Sequence, residues 1–277
     1  MILISTANGK VGSEIVKRLV ALGVDLRVGA HNVAKAQAAF PGATVVPFDY
    51  HHLETVEAAL EGVDVLYLAA PGDFPAAPEQ AVVELAKRAG VRRIVKLSAM
   101  GVENADGTAL RTVEKSVQAS GLEWTLLRPN WFMQNYSTGM AQGIRAGTLY
   151  EPAGSARTGF IDARDIAAVA VKALTENGHV GQAYALTGGQ SLDREEVARQ
   201  ISEVTGKPLR YAPISDAQFR GAMNGVLSES YLELMSALYS GVRAGRSDAT
   251  TDTVRRVLGR EPISFAQFAR DHRSDWQ

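Results

Sequence analysis

A glycine-containing run at the amino terminus is the first part of the sequence with the residue types to bind a ligand. Residues 2–13 read Ile-Leu-Ile-Ser-Thr-Ala-Asn-Gly-Lys-Val-Gly-Ser. An apolar run, a tight turn and a helical pattern follow one another here, which is the context that a dinucleotide-binding turn requires. Gly9 lets the backbone approach a pyrophosphate, and Gly12 lets the first helix pack closely on the first strand. The alternative is a plain connection between a strand and a helix.

The residues after the second predicted strand bear on the choice of dinucleotide. His31 and Lys35 lie near the end of this strand, and no acidic residue occurs until Asp49. An acidic residue there would bind the ribose 2′-hydroxyl of NAD, whereas basic groups accept the 2′-phosphate of NADP. The sequence therefore favours NADP(H) and leaves NAD(H) open. The alternative is a solvent-exposed turn with an incidental lysine.

Two further segments follow predicted strands at the same edge of the sheet. Asp49 and Tyr50 come after the third strand, where they can approach the adenine, although Asp49 could equally cap a helix. Ala69, Ala70 and Pro71 end the fourth strand, and their small side chains leave room for a cofactor ribose. A strand exit without a binding role is the alternative for this second segment.

The elements that must position these residues alternate between β-rich and helical runs, which indicates βαβ units and a parallel sheet. The candidate strands are Ile2–Ile4, Leu26–Val28, Thr44–Val46, Val63–Ala69, Arg93–Leu97 and Trp124–Leu127. Right-handed crossovers between them would place helices on both faces of the sheet. We therefore expect an α/β fold, with a doubly wound, Rossmann-type parallel sheet over residues 1–150.

The pattern changes after Arg128, and we expect residues 151–277 to form a smaller, mostly helical substrate lobe whose segments can interleave with the first domain. The predicted elements are a helix near Trp131–Ala146, a helix over Asp162–Leu174, a strand over Ala183–Leu186, a helix capped by Ser191 or Asp193, and a mostly helical stretch over Gln218–Gly241. No repeat or linker separates the lobe from the sheet.

Composition narrows the classes of partner. Twenty-nine basic and 30 acidic residues give a net charge of −1, so no positive field attracts nucleic acid or anionic lipid. The chain has no cysteine, and its five histidines show no zinc-ligand spacing, so we expect no metal site. No stretch reaches the roughly 20 apolar residues that span a bilayer. We expect a cytoplasmic monomer or homodimer that acts on a small molecule.

Longer motifs add to this pattern over nearly the whole chain. They include Ala7-Asn-Gly-Lys-Val-Gly, His31-Asn-Val-Ala-Lys-Ala, Gly90-Val-Arg-Arg-Ile-Val, the segment from Ser120 to Tyr136, and Phe160-Ile-Asp-Ala-Arg-Asp-Ile-Ala. In these motifs the chain resembles the NmrA-like atypical short-chain dehydrogenase/reductase family, most closely the branch with quinone oxidoreductase type 2 and triphenylmethane reductase. The resemblance implies a Rossmann fold and hydride transfer from NADPH.

The resemblance also implies roles for individual residues. The cofactor-binding residues would be Thr6, Ala7, Asn8, Gly9, Lys10, Val11, Gly12, His31, Lys35, Asp49, Tyr50, Ala69, Ala70, Pro71, Ser98, Pro129, Asn130, Trp131 and Phe132. The substrate-binding residues would be Phe132, Asn135 and Tyr136, for which a purely structural aromatic cluster is the alternative. The chain departs from the family where Thr6 replaces the usual glycine, so its Cβ should shift the turn or weaken binding unless its hydroxyl compensates.

The sequence does not identify a catalytic acid. Ser98 stands at the serine position of the wider superfamily, but the next helix has no tyrosine for a Tyr-x-x-x-Lys pair. Glu114 and Lys115 are adjacent and point about 100° apart, so they cannot replace that pair, and we expect them on the surface or behind the reacting groups.

Three functions fit these residues. A quinone or other conjugated acceptor can accept hydride and take its proton from water, so an NADPH-dependent reductase of such an acceptor is the first hypothesis. The second is an NADP(H)-sensing regulatory protein that binds a protein partner. The third is a non-redox isomerase or lyase on the same scaffold.

Overall fold

The computed structural model describes all 277 residues and divides the chain into two compact units. The first unit comprises Met1–Pro129 and Ala163–Ala185, and the second comprises Asn130–Asp162 and Leu186–Gln277. The sequence predicts an approximate boundary near residue 150 and allows the segments of the two parts to interleave. In the structure the chain leaves the sheet after its sixth strand, returns to it for one helix and one strand, and then leaves again.

The first unit is built around a seven-stranded sheet. Its strands are β1 (Ile2–Ile4), β2 (Leu26–Ala30), β3 (Thr44–Pro47), β4 (Val65–Leu68), β5 (Arg93–Leu97), β6 (Glu123–Pro129) and β8 (Gln182–Leu186), in the spatial order β3-β2-β1-β4-β5-β6-β8. The pairs among β1 to β6 are parallel. The strand order reverses beside β1, and this switch point is where ligands bind in open α/β sheets.

Helices cover the sheet of the first unit. They are α1 (Lys10–Ala21), α2 (Val33–Ala39), α3 (Leu53–Leu60), α4 (Ala76–Arg88), α5 (Ala109–Ala119) and α8 (Ala163–Thr175). Helix α1 packs on α8, whereas α4 packs on α3 and α5. The strands β1 and β4 are completely buried, and such unbroken apolar runs are typical of parallel strands covered on both faces. The predicted Rossmann-type α/β fold is confirmed.

The second unit contains short helices and a small sheet. Its elements are α6 (Gln134–Ser137), α7 (Ala141–Arg145), β7 (Thr148–Glu151), α9 (Arg194–Thr205), β9 (Arg210–Pro213), α10 (Asp216–Met223), α11 (Glu229–Arg243), α12 (Thr253–Leu258) and α13 (Phe265–Asp271). Its core joins apolar side chains of α6, α7, α9 and α13. Strands β7 and β9 pair in parallel as a separate two-stranded sheet that the sequence did not predict.

The single helix predicted near Trp131–Ala146 is two short helices, α6 and α7. The hydroxyl of Thr138 donates to the carbonyl oxygen of Gln134 at 2.7 Å, and the backbone of Thr138 is not helical. Hydroxyl side chains that bond nearby backbone groups compete with the helical ladder. This local competition ends α6 after one turn.

Candidate functional site

The glycine turn lies directly between β1 and α1, at the strand-order reversal. Gly9 closes the turn by donating its N–H to the carbonyl oxygen of Thr6 at 2.9 Å, and its own carbonyl oxygen accepts the N–H of Ser13 at 3.0 Å. A Cβ on Gly12 would lie 2.5 Å from the Thr6 carbonyl oxygen, closer than any real contact. Gly12 is therefore required for the first turn of α1 to approach the loop this closely.

The start of α1 suits an anion. Its N-cap residue is Gly9, which forms no side-chain capping hydrogen bond, and no acidic residue lies in the first turn. The positive end of the helix dipole therefore faces no protein carboxylate from its own helix. A helix beginning at a glycine turn in this setting is the usual binding position for a pyrophosphate. The turn and the helix together fit the diphosphate of a dinucleotide.

Thr6 occupies a backbone conformation that normally belongs to glycine. Its φ is +49°, and it is the one non-glycine residue of the chain with a positive φ. For a residue with a Cβ this conformation costs about 1–2 kcal/mol. The turn predicted from the family pattern is therefore formed, with the strain carried by Thr6.

Asp49 is the centre of a small polar cluster at the ends of β2 and β3. One carboxylate oxygen, Oδ2, lies 3.0 Å from Nδ1 of His31 and 3.0 Å from Nδ1 of His52. The other oxygen accepts the backbone N–H of His51 at 2.9 Å. This N–H, followed by the hydrogen bond from the His52 ring, lowers the pKa of Asp49 to about 2. Asp49 is therefore a carboxylate at any ordinary pH, and His52 rather than Asp49 is the N-cap residue of α3.

Of the two residues predicted to bind the 2′-phosphate, His31 belongs to this cluster, and Lys35 lies four residues further along the chain, in α2. The imidazole of His31 is 82% exposed and directs one ring nitrogen at Asp49. Lys35 is exposed in the first turn of α2, and its backbone N–H bonds the side chain of Asn32. His52 is a member of this cluster that was not predicted from the sequence, and its ring approaches the same carboxylate oxygen as the ring of His31. Its position in the loop after β3, the strand that pairs with β2, is the feature of the sequence that could have indicated this proximity.

Tyr50 and Ala69 meet inside the first unit. The Tyr50 hydroxyl donates to the carbonyl oxygen of Ala69 at 2.5 Å, and its ring packs against Phe48 and Phe74. The N–H of Ala69 in turn bonds the hydroxyl of Ser5 at 3.0 Å. Tyr50 is buried, so its side chain ties the loop after β3 to the end of β4. Ala70 and Pro71 follow with increasing exposure.

Helix α5, which has no tyrosine for a Tyr-x-x-x-Lys pair, forms an ion pair with strand β6. Glu114 is fully buried on α5, and its two carboxylate oxygens each accept a hydrogen bond of 2.8 Å from Arg128. Arg111 adds a third hydrogen bond of 2.9 Å. Burial alone would raise the pKa of Glu114, but the hydrogen bonds and charge of Arg128, together with contributions from Ser98 and Arg111, outweigh burial and hold this pKa below its usual value. Glu114 is thus a carboxylate, which cannot donate a proton.

Glu114 and Lys115 of this helix were predicted to lie on the surface or behind the reacting groups, and their environments differ. Lys115 is half-exposed and pairs with Asp106 at 2.7 Å, as expected of a surface residue. Glu114 lies instead in the interior, where it binds Arg128. Ser98 is buried just after β5, and its N–H bonds the carbonyl oxygen of Leu127. None of Glu114, Lys115 and Ser98 is therefore positioned as a general acid.

Pro129 is the last residue of β6, and the segment that follows it, from Asn130 onward, belongs to the second unit. Asn130 is buried and donates its side-chain amide to the carbonyl oxygen of Ser247 at 2.9 Å, while its side-chain oxygen accepts the N–H of Trp131. The Trp131 ring lies 4.9 Å from that of Tyr239. Phe132 is half-buried in the same segment. Asn130 therefore fixes the direction of the chain before Phe132.

Asn135 and Tyr136 have different environments although they are adjacent. Asn135 is half-buried, whereas Tyr136 is 1% exposed and packs edge-on to Phe160 and Phe265, with ring centroids 5.5 Å apart in both pairs. The indole N–H of Trp276 also donates to the backbone oxygen of Tyr136. Tyr136 thus belongs to the aromatic core of the second unit, the alternative that the sequence analysis left open.

The fold and the glycine turn together define a dinucleotide-binding α/β protein, and the comparisons with known proteins agree. Residues 6–177 match the model of the NAD(P)H-binding family. The chain is 37% identical to the NAD(P)H azoreductase of Xenophilus azovorans over 98% of each chain. It is 28% identical to quinone oxidoreductase 2 of Escherichia coli over 96% of each.

Solved structures show the same likeness. The crystal structure of the NADPH-dependent quinone oxidoreductase of Escherichia coli, complexed with NADPH, superposes with a TM-score of 0.86 and 27% identity, over 97% of this chain and 98% of the other. The triphenylmethane reductase of Citrobacter sp. has a TM-score of 0.85 at 23% identity, over 98% of this chain and 99% of the other, which shows a shared fold.

The chain belongs to the NAD(P)H-binding family. The resemblance inferred from the sequence motifs is confirmed, as are the NADP(H) class of cofactor and an oxidoreductase that uses it. No helix of the protein has the length and apolar character needed to cross a bilayer.

Proposed function

We propose that this protein uses NADPH to reduce a quinone-like or otherwise conjugated small molecule. NADPH, when bound, supplies the hydride. The protein supplies the position of both reactants and the electrostatic environment. The relatives that bear on the acceptor are the azoreductase and the quinone oxidoreductase, because azo and quinone groups are both conjugated acceptors of electrons.

The residues toward the cofactor keep the roles implied by the sequence. We assign the pyrophosphate to the turn from Thr6 to Gly12, the 2′-phosphate to His31 and Lys35, and the adenosine and ribose groups to the loops at Asp49–Tyr50 and Ala69–Pro71. Ser98 and the segment from Pro129 to Phe132 are assigned to the nicotinamide. The requirement for glycine at position 12 and the uncapped start of α1 support the first of these assignments.

On the substrate side we retain Phe132 and Asn135. Both side chains are half-buried, so each has surface to offer a ligand. A half-buried aromatic ring suits a flat conjugated acceptor, because stacked aromatic pairs gain about 0.5–1.5 kcal/mol beyond area burial. Tyr136 is not retained, since its ring is enclosed by Phe160 and Phe265.

The observation that carries the proposed acceptor class is the ion pair of Glu114 with Arg128. A simple ketone gains typically 10²–10⁴-fold from a positioned general acid. Glu114 is held as a carboxylate by Arg128 and Arg111 and cannot serve as that acid. An acceptor whose reduced form is stabilised by conjugation can take its proton from water, so its reduction does not need this group.

The test is steady-state oxidation of NADPH, followed by absorbance, with four acceptors: a benzoquinone, an azo dye, a triphenylmethane dye and an unconjugated ketone. We expect turnover with at least one conjugated acceptor and at least about 100-fold less with the ketone. Loss of deuterium from only one face of stereospecifically C4-deuterated NADPH, measured in the NADP⁺ produced, would show that the reaction occurs on the enzyme.

Two outcomes would contradict the proposal. Equal turnover of the ketone would mean that a proton donor operates and that the acceptor class is wrong. Binding of NADPH with no hydride transfer to any acceptor would favour the regulatory hypothesis, and a partner captured only with the cofactor present would then support it.

A further inference from the structure

The cluster around Asp49 contains a second histidine to which neither the sequence nor the family resemblance gave a role. His31 comes from the end of β2, whereas His52 comes from the loop before α3. Their Nδ1 atoms both lie 3.0 Å from the same oxygen of Asp49. The side chains of His31 and His52 are 82% and 65% exposed. No group of His, Asp and Glu residues in the protein is arranged to hold a metal ion, so hydrogen bonds define this cluster.

The hydrogen bonds determine what the outer nitrogen of each ring can do. A ring that donates its Nδ1–H to Asp49 and is neutral carries a lone pair on Nε2, which repels a phosphate oxygen. Protonation converts that Nε2 into an N–H donor, and a charge-assisted hydrogen bond to phosphate becomes possible. Because Asp49 accepts from both rings, it holds each one with Nε2 directed away from the carboxylate.

The charges of the cluster change sign with protonation. With both imidazoles neutral the three side chains sum to −1, because Asp49 is ionised; with both protonated they sum to +1. The hydrogen bond that the His52 ring donates to Asp49, followed by the charge of Asp49, raises the pKa of His52, and Glu54 of α3 acts in the same direction. Lys35 in the first turn of α2 adds a positive charge. Thr55 accepts the N–H of Asp49 and is not ionisable.

We propose that His52 and His31, held on Asp49, form a proton-dependent 2′-phosphate subsite that sets the preference of this protein for NADP(H) over NAD(H). This inference rests on the proposed function, which assigns the same end of the site to the 2′-phosphate. The protonated pair binds the phosphate, whereas the neutral pair leaves a net negative cluster that disfavours it. The affinity for NAD(H), which lacks this phosphate, changes little because its ribose hydroxyls do not titrate.

Calorimetric titration with NADP⁺ and NAD⁺ at pH 6.5 and 8.5, in the presence of EDTA, tests the proposal. We expect the affinity for NADP⁺ to fall by roughly tenfold between these pH values, the usual effect of losing a charge-assisted bond, and the affinity for NAD⁺ to change less than about twofold. The 2′-phosphate itself becomes more negative as the pH rises, with its second pKa near 6, so the ligand alone would produce the opposite trend.

His51 provides a matched control beside His52. His51 contacts Phe74 through its ring and gives Asp49 only its backbone N–H, so His51→Gln should keep the pH dependence of the wild type. His52→Gln should reduce the affinity for NADP⁺ at pH 6.5 by about three- to tenfold and flatten the profile. Folding should be unaffected because the His52 side chain does not cap α3. Equal midpoints of thermal unfolding for the wild type and His52→Gln would verify that the substitution leaves folding unaffected.

The outcomes separate this inference from the proposed function. Binding of both dinucleotides with an affinity ratio that does not vary with pH, or an equal effect of His51→Gln and His52→Gln, overturns the subsite and leaves the reductase proposal standing. Failure to bind either dinucleotide at either pH overturns the proposed function and this inference with it.

Discussion

The glycine turn shows how two residues share the geometry of one loop. Gly12 must lack a Cβ because the carbonyl oxygen of Thr6 occupies its place, and Thr6 carries the positive φ that orients this carbonyl. A turn of this kind keeps its shape with a side chain at position 6, at a cost of about 1–2 kcal/mol, but it must shift to admit one at position 12. The position of the carbonyl oxygen is the reason for the difference.

Gly12→Ala is therefore expected to destabilise the protein by about 1–3 kcal/mol, as overpacking does, and to weaken NADP⁺ binding because the turn must shift. Urea unfolding and calorimetric titration measure the two effects. Gly221→Ala is the control, since this helical glycine has no atom within 4 Å of the added Cβ, and it should stabilise by about 0.5–1 kcal/mol. Equal effects of the two substitutions would contradict the steric argument.

At the scale of the elements, a buried ion pair connects parts of the second unit. Arg194, the first residue of α9, is completely buried and donates from Nε to Glu151 of β7 at 3.2 Å and from Nη1 to Thr158 at 2.7 Å. Tyr239 of α11 donates to the same carboxylate oxygen of Glu151, at 3.3 Å. One charged pair thus connects a strand and two helices that are far apart in sequence.

Arg194→Met should cost about 3–5 kcal/mol, because it leaves the carboxylate of Glu151 buried without its cation. Replacement of both partners by apolar residues should cost less than the sum of the two single substitutions, and a double-mutant cycle from urea unfolding measures this difference. Arg199→Met on the same helix removes an exposed pair with Glu203 and should change stability by at most about 1 kcal/mol. A similarly small effect at Arg194 would show that the buried pair is not required.

For the molecule as a whole, the main finding is that the first unit takes residues from two separate parts of the chain. Helix α8 packs on α1, and the buried Arg93 of β5 donates to the carbonyl oxygens of Ala173 and Glu176 at the end of α8, at 3.0 and 2.9 Å. Strand β8 pairs beside β6. A fragment that stops before residue 163 lacks all of these partners.

We accordingly expect a fragment of residues 1–150 to lack a cooperative thermal transition, because the apolar face of α1 is exposed and Arg93 loses its acceptors. Circular dichroism during heating is the measurement. A longer fragment that ends at Leu186 restores α8 and β8 and should show a cooperative thermal transition. A sharp transition in the shorter fragment would show that the division predicted near residue 150 is sufficient for folding.

Much of the first unit follows from local sequence. The six predicted strands lie within two residues of the observed ones at every boundary, because each is a short β-rich run bounded by turn residues. The sequence predicts Ser191 or Asp193 as the N-cap residue of α9, and the structure has Asp193 in a reciprocal capping box with Glu196. These features depend on neighbours within a few residues, so they can be predicted from the local sequence.

Other features depend on residues that the chain brings together from a distance. The pairing of β7 with β9 joins segments about 60 residues apart, and neither segment is apolar enough to mark a strand. The burial of Glu114 depends on Arg128 of the next strand, and the role proposed for His52 depends on Asp49 lying against His31 of another loop. The sequence by itself determined the sheet, the glycine turn and the class of cofactor, because these follow from local periodicity and short motifs. Only the tertiary structure decided which polar side chains form ion pairs or hydrogen bonds with one another, because such contacts form between residues that no local pattern links.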